Sequence, residues 1–155
     1  MEKTANELQE IITSFSPKIK VISSGEFNAK PNPAKWSKKE VLGHLIDSAH
    51  NNLRRFVAGQ YEQEPNIVYD QDFWVRANDY QHMRDSDVIE LWRLINERIV
   101  ATLKNMPPEY YARACNTGKQ SPSIHTIQWL ASDYVKHLKH HLNQIIAGSF
   151  NITYP

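Results

Sequence analysis

The sequence predicts an all-α protein, a four-helix bundle occupying residues 1–155 as a single domain. Three observations lead there. Four segments repeat their apolar residues at helical spacing, glycine is scarce at 5 of 155 residues, and no run shows the apolar/polar alternation that marks strands. Each apolar stripe has to be buried against another helix, and a bundle buries all four.

The first segment covers about residues 2–14, where Leu8, Ile11, Ile12 and Phe15 form a modest stripe. Continuation to Ile22 would require Pro17 to be accommodated inside the helix. A loop with Gly25, Pro31 and Pro33 follows. The second segment begins at Ser37, a natural N-cap, and Glu40 three residues later completes a capping box. Val41, Leu42, Leu45, Ile46, Ala49, Leu53, Phe56 and Val57 then recur at helical spacing up to Gly59. Residues 60–84, with Pro65 and YDQDFWVRANDY, read as a long loop holding at most a helical turn. The third helix opens near Asp85 or Ser86, carries Val88, Leu91, Trp92, Ile95, Ile99 and Leu103, and is stopped by Pro107-Pro108. After an irregular stretch with Cys115, Gly118 and Pro122, the fourth helix begins near Ser123 and extends through Ile127, Leu130, Tyr134, Leu138, Leu142 and Ile145 towards Gly148.

Charge narrows the function classes. Lys and Arg number 18 against 17 Asp and Glu, a net +1 with the basic residues scattered, so nucleic acid is not an expected partner. No apolar run reaches the ~18 residues of a membrane span, and the polar, acidic start MEKTANELQEII resembles no signal peptide. A single cysteine allows no internal disulfide, which fits a cytoplasmic protein.

The chemistry-bearing residues are histidines. Seven are present, at 44, 50, 82, 125, 137, 140 and 141, three of them within His137-Leu138-Lys139-His140-His141. On a helix, His137 and His141 stand about 40° apart on one face, a spacing that one metal ion can bridge if further ligands come from elsewhere. Relative to Ile127, the apolar stripe of this helix runs from roughly −60° to +100°; His141 falls inside it near −40°, His137 just outside near −80°, and His140 on the polar face near −140°. The alternative for the pair is partial exposure with hydrogen bonds to neighbours. Leu138 follows His137, so the metalloprotease motif with its glutamate is absent. His44 sits in LGHLID; its wheel position, about 60° outside the stripe that starts at Val41, reads as a flank.

WSKKEVLGHLIDSAHNNLRRF, followed about ninety residues later by HLKHHLNQI, resembles the DinB/YfiT-like metalloenzyme family, a group distinct from the DNA polymerase of similar name. The looser YDQDFWVRANDY and Leu91-Trp92 before Asn96 agree, and the likeness extends from Trp36 to Ile146. It implies a four-helix bundle with three histidine ligands, one from the second helix and two from an HxxxH on the last, which fall on His44, His137 and His141. His50, His82, His125 and His140 match no ligand position. Three imidazoles suit zinc or nickel first, and iron or copper, rather than calcium or magnesium, and leave positions open for water or substrate. Relatives of this kind include thiol-dependent transferases and a thiol-dependent isomerase. The resemblance therefore implies a metal-dependent thiol (S-) transferase acting through a metal-bound thiolate, with a small-molecule thiol and an electrophile as partners and a homodimer as the assembly. The alternatives are a small metal-dependent hydrolase and a non-catalytic, stress-related binding or dimerisation domain.

Other residues carry weaker signals. Cys115 lies in a loop with no defined base. Asp47, three residues after His44, either orients an imidazole or is a solvated helix carboxylate. Trp74 and Tyr134 either line a pocket or pack in the core. Glu109 and Asp133 have no distinguishing feature.

Overall fold

The computed structural model describes residues 1–154. Its elements are α1 (Glu2–Lys20), α2 (Ser24–Asn28), α3 (Lys38–Ala58), α4 (Gln71–Asn78), α5 (Asp85–Asn105), β1 (Ala114–Asn116), β2 (Ile124–Thr126) and α6 (Ile127–Ile145). The four long helices α1, α3, α5 and α6 are the four segments read from the apolar spacing. α3 packs against both α5 and α6, and α1 against α5 and α6.

Pro17 is tolerated inside α1, which continues to Lys20. The lost backbone hydrogen bond falls within the last turns, and burial of Phe15 before it and Ile19 after it offsets that loss. At the start of α3, Ser37 Oγ accepts from Glu40 N while Glu40 Oε2 accepts from Ser37 N, so the capping box is formed.

Three connections are more ordered than their sequence suggested. α2 is capped by Ser23 and buries Phe27. α4 occupies residues 71–78 of the stretch read as a long loop; Asp70 caps it, and Asp79 ends it in the left-handed region at φ 50°. The third difference moves the start of the last helix from Ser123 to Ile127. Residues 124–126 pair antiparallel with 114–116 as a short hairpin, and Thr126 takes the N-cap. Three-residue strands are too short for alternation to register. Asn116 Oδ1 closes the hairpin loop by accepting from Gly118 N and Ser123 N, while Ile67 N and Asn116 N tie residues 65–67 alongside β1.

α3 is buried nearly all round. Its apolar side meets α5, while a second, polar line (His44, Asp47, Ser48, Asn51, Asn52, Arg55) is also buried. That line is covered by α6, α4 and the segment before α4, so the fold contains a polar seam beside its apolar core. No helix among the described residues is long and apolar enough to cross a membrane.

Candidate metal centre

His44 comes to the seam from the second turn of α3, and His137 and His141 from successive turns of α6. His44 is fully buried, the other two partly. The wheel position of His44 on a flank is correct for α3 alone; the flank is buried because α6 covers it. One ring nitrogen from each of the three residues lies within 4.8 Å of the others. The ring centroids form a tight triangle, with 5.1 Å from His44 to His137, 4.6 Å from His44 to His141 and 4.5 Å from His137 to His141. His50 and His82 are exposed on other faces, His125 stacks on Trp129, and His140 lies beside the cluster without joining it.

His44 Nε2 and His137 Nε2 are 3.2 Å apart. Two imidazole nitrogens bound tetrahedrally at the usual 2.0–2.1 Å from zinc stand about 3.4 Å from each other, so the spacing fits a shared ion. His141 Nδ1 is 3.0 Å from Gln144 Oε1, which as an acceptor leaves Nε2 of that ring unprotonated and free to ligate. Nδ1 of His44 and of His137 is buried without a protein partner. Were the two rings joined only by a hydrogen bond, one of those orphaned atoms would be a buried lone pair and the other a buried N–H.

Electrostatics prepare the rings as neutral donors. Burial, reinforced by His141, lowers the His44 pKa to about 3. Burial and the three neighbouring histidines lower that of His137 to about 2. His141 is lowered by burial and His140, against the opposing Gln144 contact. The cluster of ligand atoms is made of imidazoles alone among the described residues. The donor set of three neutral imidazoles suits zinc, nickel, copper or iron.

Trp36 stacks on His44 at 5.1 Å from the residue before the capping box, and Tyr154 meets the edge of His137 at 5.7 Å. Neither stood out in the sequence, although Gln144 was legible as the residue one helical turn beyond His141. A cavity of about 720 Å³ reaches His141 and is lined by Trp36, Lys30, Lys35, Lys38, Gln71 and Asp72, among others.

The weaker candidates are placed elsewhere. Asp47 is 1% exposed and accepts from Tyr80 Oη at 2.6 Å and Asn78 Nδ2 at 2.8 Å, so it neither orients an imidazole nor faces solvent. Cys115 is in β1 rather than a loop, buried, with its Sγ–H towards Pro65 O and its thiol pKa raised by burial. Tyr134 belongs to the core, where it donates to Asn96 Oδ1. Trp74 packs edge-on against Tyr69, Asp133 accepts from Tyr154 Oη, and Glu109 is exposed.

Comparison with known proteins agrees with this architecture. The model of the DinB superfamily matches residues 2–145. YfiT of Bacillus subtilis (strain 168), named as a candidate metal-dependent hydrolase, is 23% identical over 145 residues, 93% of this chain and 81% of YfiT. The structure of YfiT, described as an unusual four-helix bundle, superposes with a TM-score of 0.82 at 24% identity, covering 92% of this chain and 82% of that one. A mycothiol-dependent maleylpyruvate isomerase superposes with a TM-score of 0.70 at 10% identity, over 91% of this chain but 59% of the isomerase.

Proposed function

This chain belongs to the DinB superfamily, and from that membership and the three facing imidazoles we propose that it is a metal-dependent enzyme that transfers a small-molecule thiol to an electrophile. His44, His137 and His141 would hold one divalent transition metal, zinc or nickel in the first instance, with iron or copper compatible with the same donors. Such an ion supplies Lewis acidity, lowering the pKa of a thiol or water so that a nucleophile exists at neutral pH.

The observation that carries the thiol reading is a ligand cluster made of three imidazoles, with no carboxylate in it among the described residues. Amide hydrolysis requires a proton donor for the departing amine. Thiol transfer has no such requirement when the electrophile carries a good leaving group. The S–C bond forms, the leaving group departs with its electron pair, and the thiol proton passes to solvent. The chain's own residues keep the imidazoles unprotonated by burial, fix His141 through Gln144, and shield one side of His44 with Trp36. The fold shared with a mycothiol-dependent isomerase supports the same reading.

A metal-dependent hydrolase is the second reading. It is favoured by the naming of YfiT and by Glu26 and Asp72, acids that line the cavity reaching His141.

Metal analysis of tag-free protein, together with circular dichroism of the three single alanine variants, tests the centre. The expected result is loss of metal with helical content retained, and unchanged metal in all three variants would overturn it. Thiol consumption that depends on an added electrophile supports transfer; thiol-independent ester or amide cleavage moves the assignment to the hydrolase.

A further inference from the structure

Eleven residues beyond His44, at the far end of the polar seam of α3, Arg55 is 9% exposed. Its guanidinium has no carboxylate within 4.0 Å among the described residues, an unusual state for a buried charge. Nε and Nη2 donate to Ile67 O at 3.1 and 2.7 Å, and Nη1 donates to Asn52 Oδ1 at 3.3 Å. A guanidinium has five N–H donors, so two remain, one on each terminal nitrogen, the number that a carboxylate accepts in a bidentate contact. Holding the Ile67 carbonyl needs a donor but not a charge, and a neutral side chain would avoid the cost of desolvating one.

Arg55 lines a cavity of about 400 Å³ together with Tyr69, Asp70, Asp72, Thr117 and Lys119. Gln71 and Asp72 line both this cavity and the one that reaches His141. The acids in the lining do not neutralise Arg55. Asp70 is engaged by Phe73 N and lies in the field of Lys119 and Arg76, while Asp133, whose charge acts on Arg55, is bonded to Tyr154. Along α3, His44 and Arg55 are separated by roughly 16 Å.

We propose that Arg55 forms a carboxylate-binding subsite, which seats an anionic group of the substrate at one end while its reacting atom lies at the three histidines. The inference rests on the enzymatic reading above for its second half and on Arg55 alone for its first. It restricts the substrate to a carboxylate-bearing molecule of peptide-like length, because a two-carbon thiol cannot span both ends.

The test is a titration of the wild-type protein with acetate and succinate, followed by the Arg55 Nε–H resonance in a nitrogen-15 NMR spectrum, with chloride at matched ionic strength as control. The resonance is identified by its loss in Arg55→Lys. A saturable shift with the carboxylates, half-complete at a concentration at least about ten-fold below any response to chloride, is expected from a charge-assisted forked contact. In Arg55→Lys, which keeps the charge but not the fork, the succinate response of the Tyr69 and Thr117 amides should weaken by about ten-fold. Equal responses to carboxylate and chloride, no saturation, or an undiminished response in Arg55→Lys would each overturn the subsite. His141→Ala should leave the titration unchanged. A failed titration, with metal lost from the alanine variants as expected, therefore removes this inference alone. Unchanged metal in all three alanine variants with an intact titration removes the enzymatic reading and the second half of the inference, and leaves Arg55 as a carboxylate site.

Discussion

The Nε2 atoms of His44 and His137 face each other at 3.2 Å, although the two residues are 93 positions apart in the chain. With pKa values lowered to about 3 and about 2, both rings are neutral at physiological pH. Two neutral rings in this arrangement satisfy each other only in part, since both Nδ1 atoms stay buried without a protein partner. A cation between them would engage both Nε2 lone pairs.

Zinc should therefore stabilise the folded state by mass action. At a free concentration about one hundred times its Kd, the expected gain is about 2.7 kcal/mol, or a rise in Tm of roughly 5–10 °C for a chain of this size. His137→Ala should abolish the rise, and a chelator should return the wild type to its metal-free Tm. Thermal melts with and without zinc check this; identical rises in wild type and variant would place the ion elsewhere.

Gly43 precedes the first histidine and lies directly under Tyr80. A Cβ at this position would come within 2.1 Å of the Tyr80 ring, with two more ring atoms closer than 3.0 Å. The ring cannot swing away freely, because its hydroxyl is bonded to Asp47. Gly43→Ala is expected to destabilise by about 1–3 kcal/mol, the usual cost of overpacking. Urea unfolding measures it, and a variant as stable as the wild type would mean that Tyr80 relocates at no cost.

Much of this fold was legible because its signals are local or periodic. The capping box at Ser37 and Glu40 and the proline pair at 107–108 mark helix ends, and the apolar spacing of α3, α5 and α6 persists over several turns. The hairpin was not legible, since 114–116 and 124–126 each offer only three residues. His141 could be placed from its own helix, but His44 could not. A wheel describes one helix, and the burial of His44 depends on α6, a partner more than eighty residues away. Arg55 and Asp47 escaped for the same reason: the residues that cover the polar side of α3 come from α4, α6 and the segment around Ile67.

Asn96 is fully buried, donating to Trp92 O and accepting from Tyr134 Oη. Tyr134→Phe removes the hydroxyl and leaves Asn96 Oδ1 desolvated without a donor. The expected loss is about 1–3 kcal/mol, more than the net worth of an ordinary hydrogen bond, because an unsatisfied buried acceptor remains. In a double-mutant cycle with Asn96→Ala the losses should be clearly non-additive. Simple additivity would show that the two groups do not interact in solution.

Asp47 makes stability depend on pH in the direction opposite to most carboxylates. Its Oδ1 accepts from Tyr80 and Asn78, while its Oδ2 is buried without a partner. Burial outweighs those two hydrogen bonds and raises the pKa to about 6, against about 3.9 expected in the unfolded chain. Between these values the folded state binds the proton more tightly. The contribution is fully present below about pH 4 and is lost as pH rises through about 6, an effect on the order of 2–3 kcal/mol. Asp47→Asn keeps an oxygen that can accept from Tyr80 and Asn78 but carries no titrating proton. The difference in unfolding free energy between variant and wild type should therefore change in the variant's favour from pH 4 to pH 7. Denaturant titrations of both proteins across that range provide the measurement. A difference that stays constant with pH would show that Asp47 titrates at its ordinary value, and that its second oxygen has found a partner in solution.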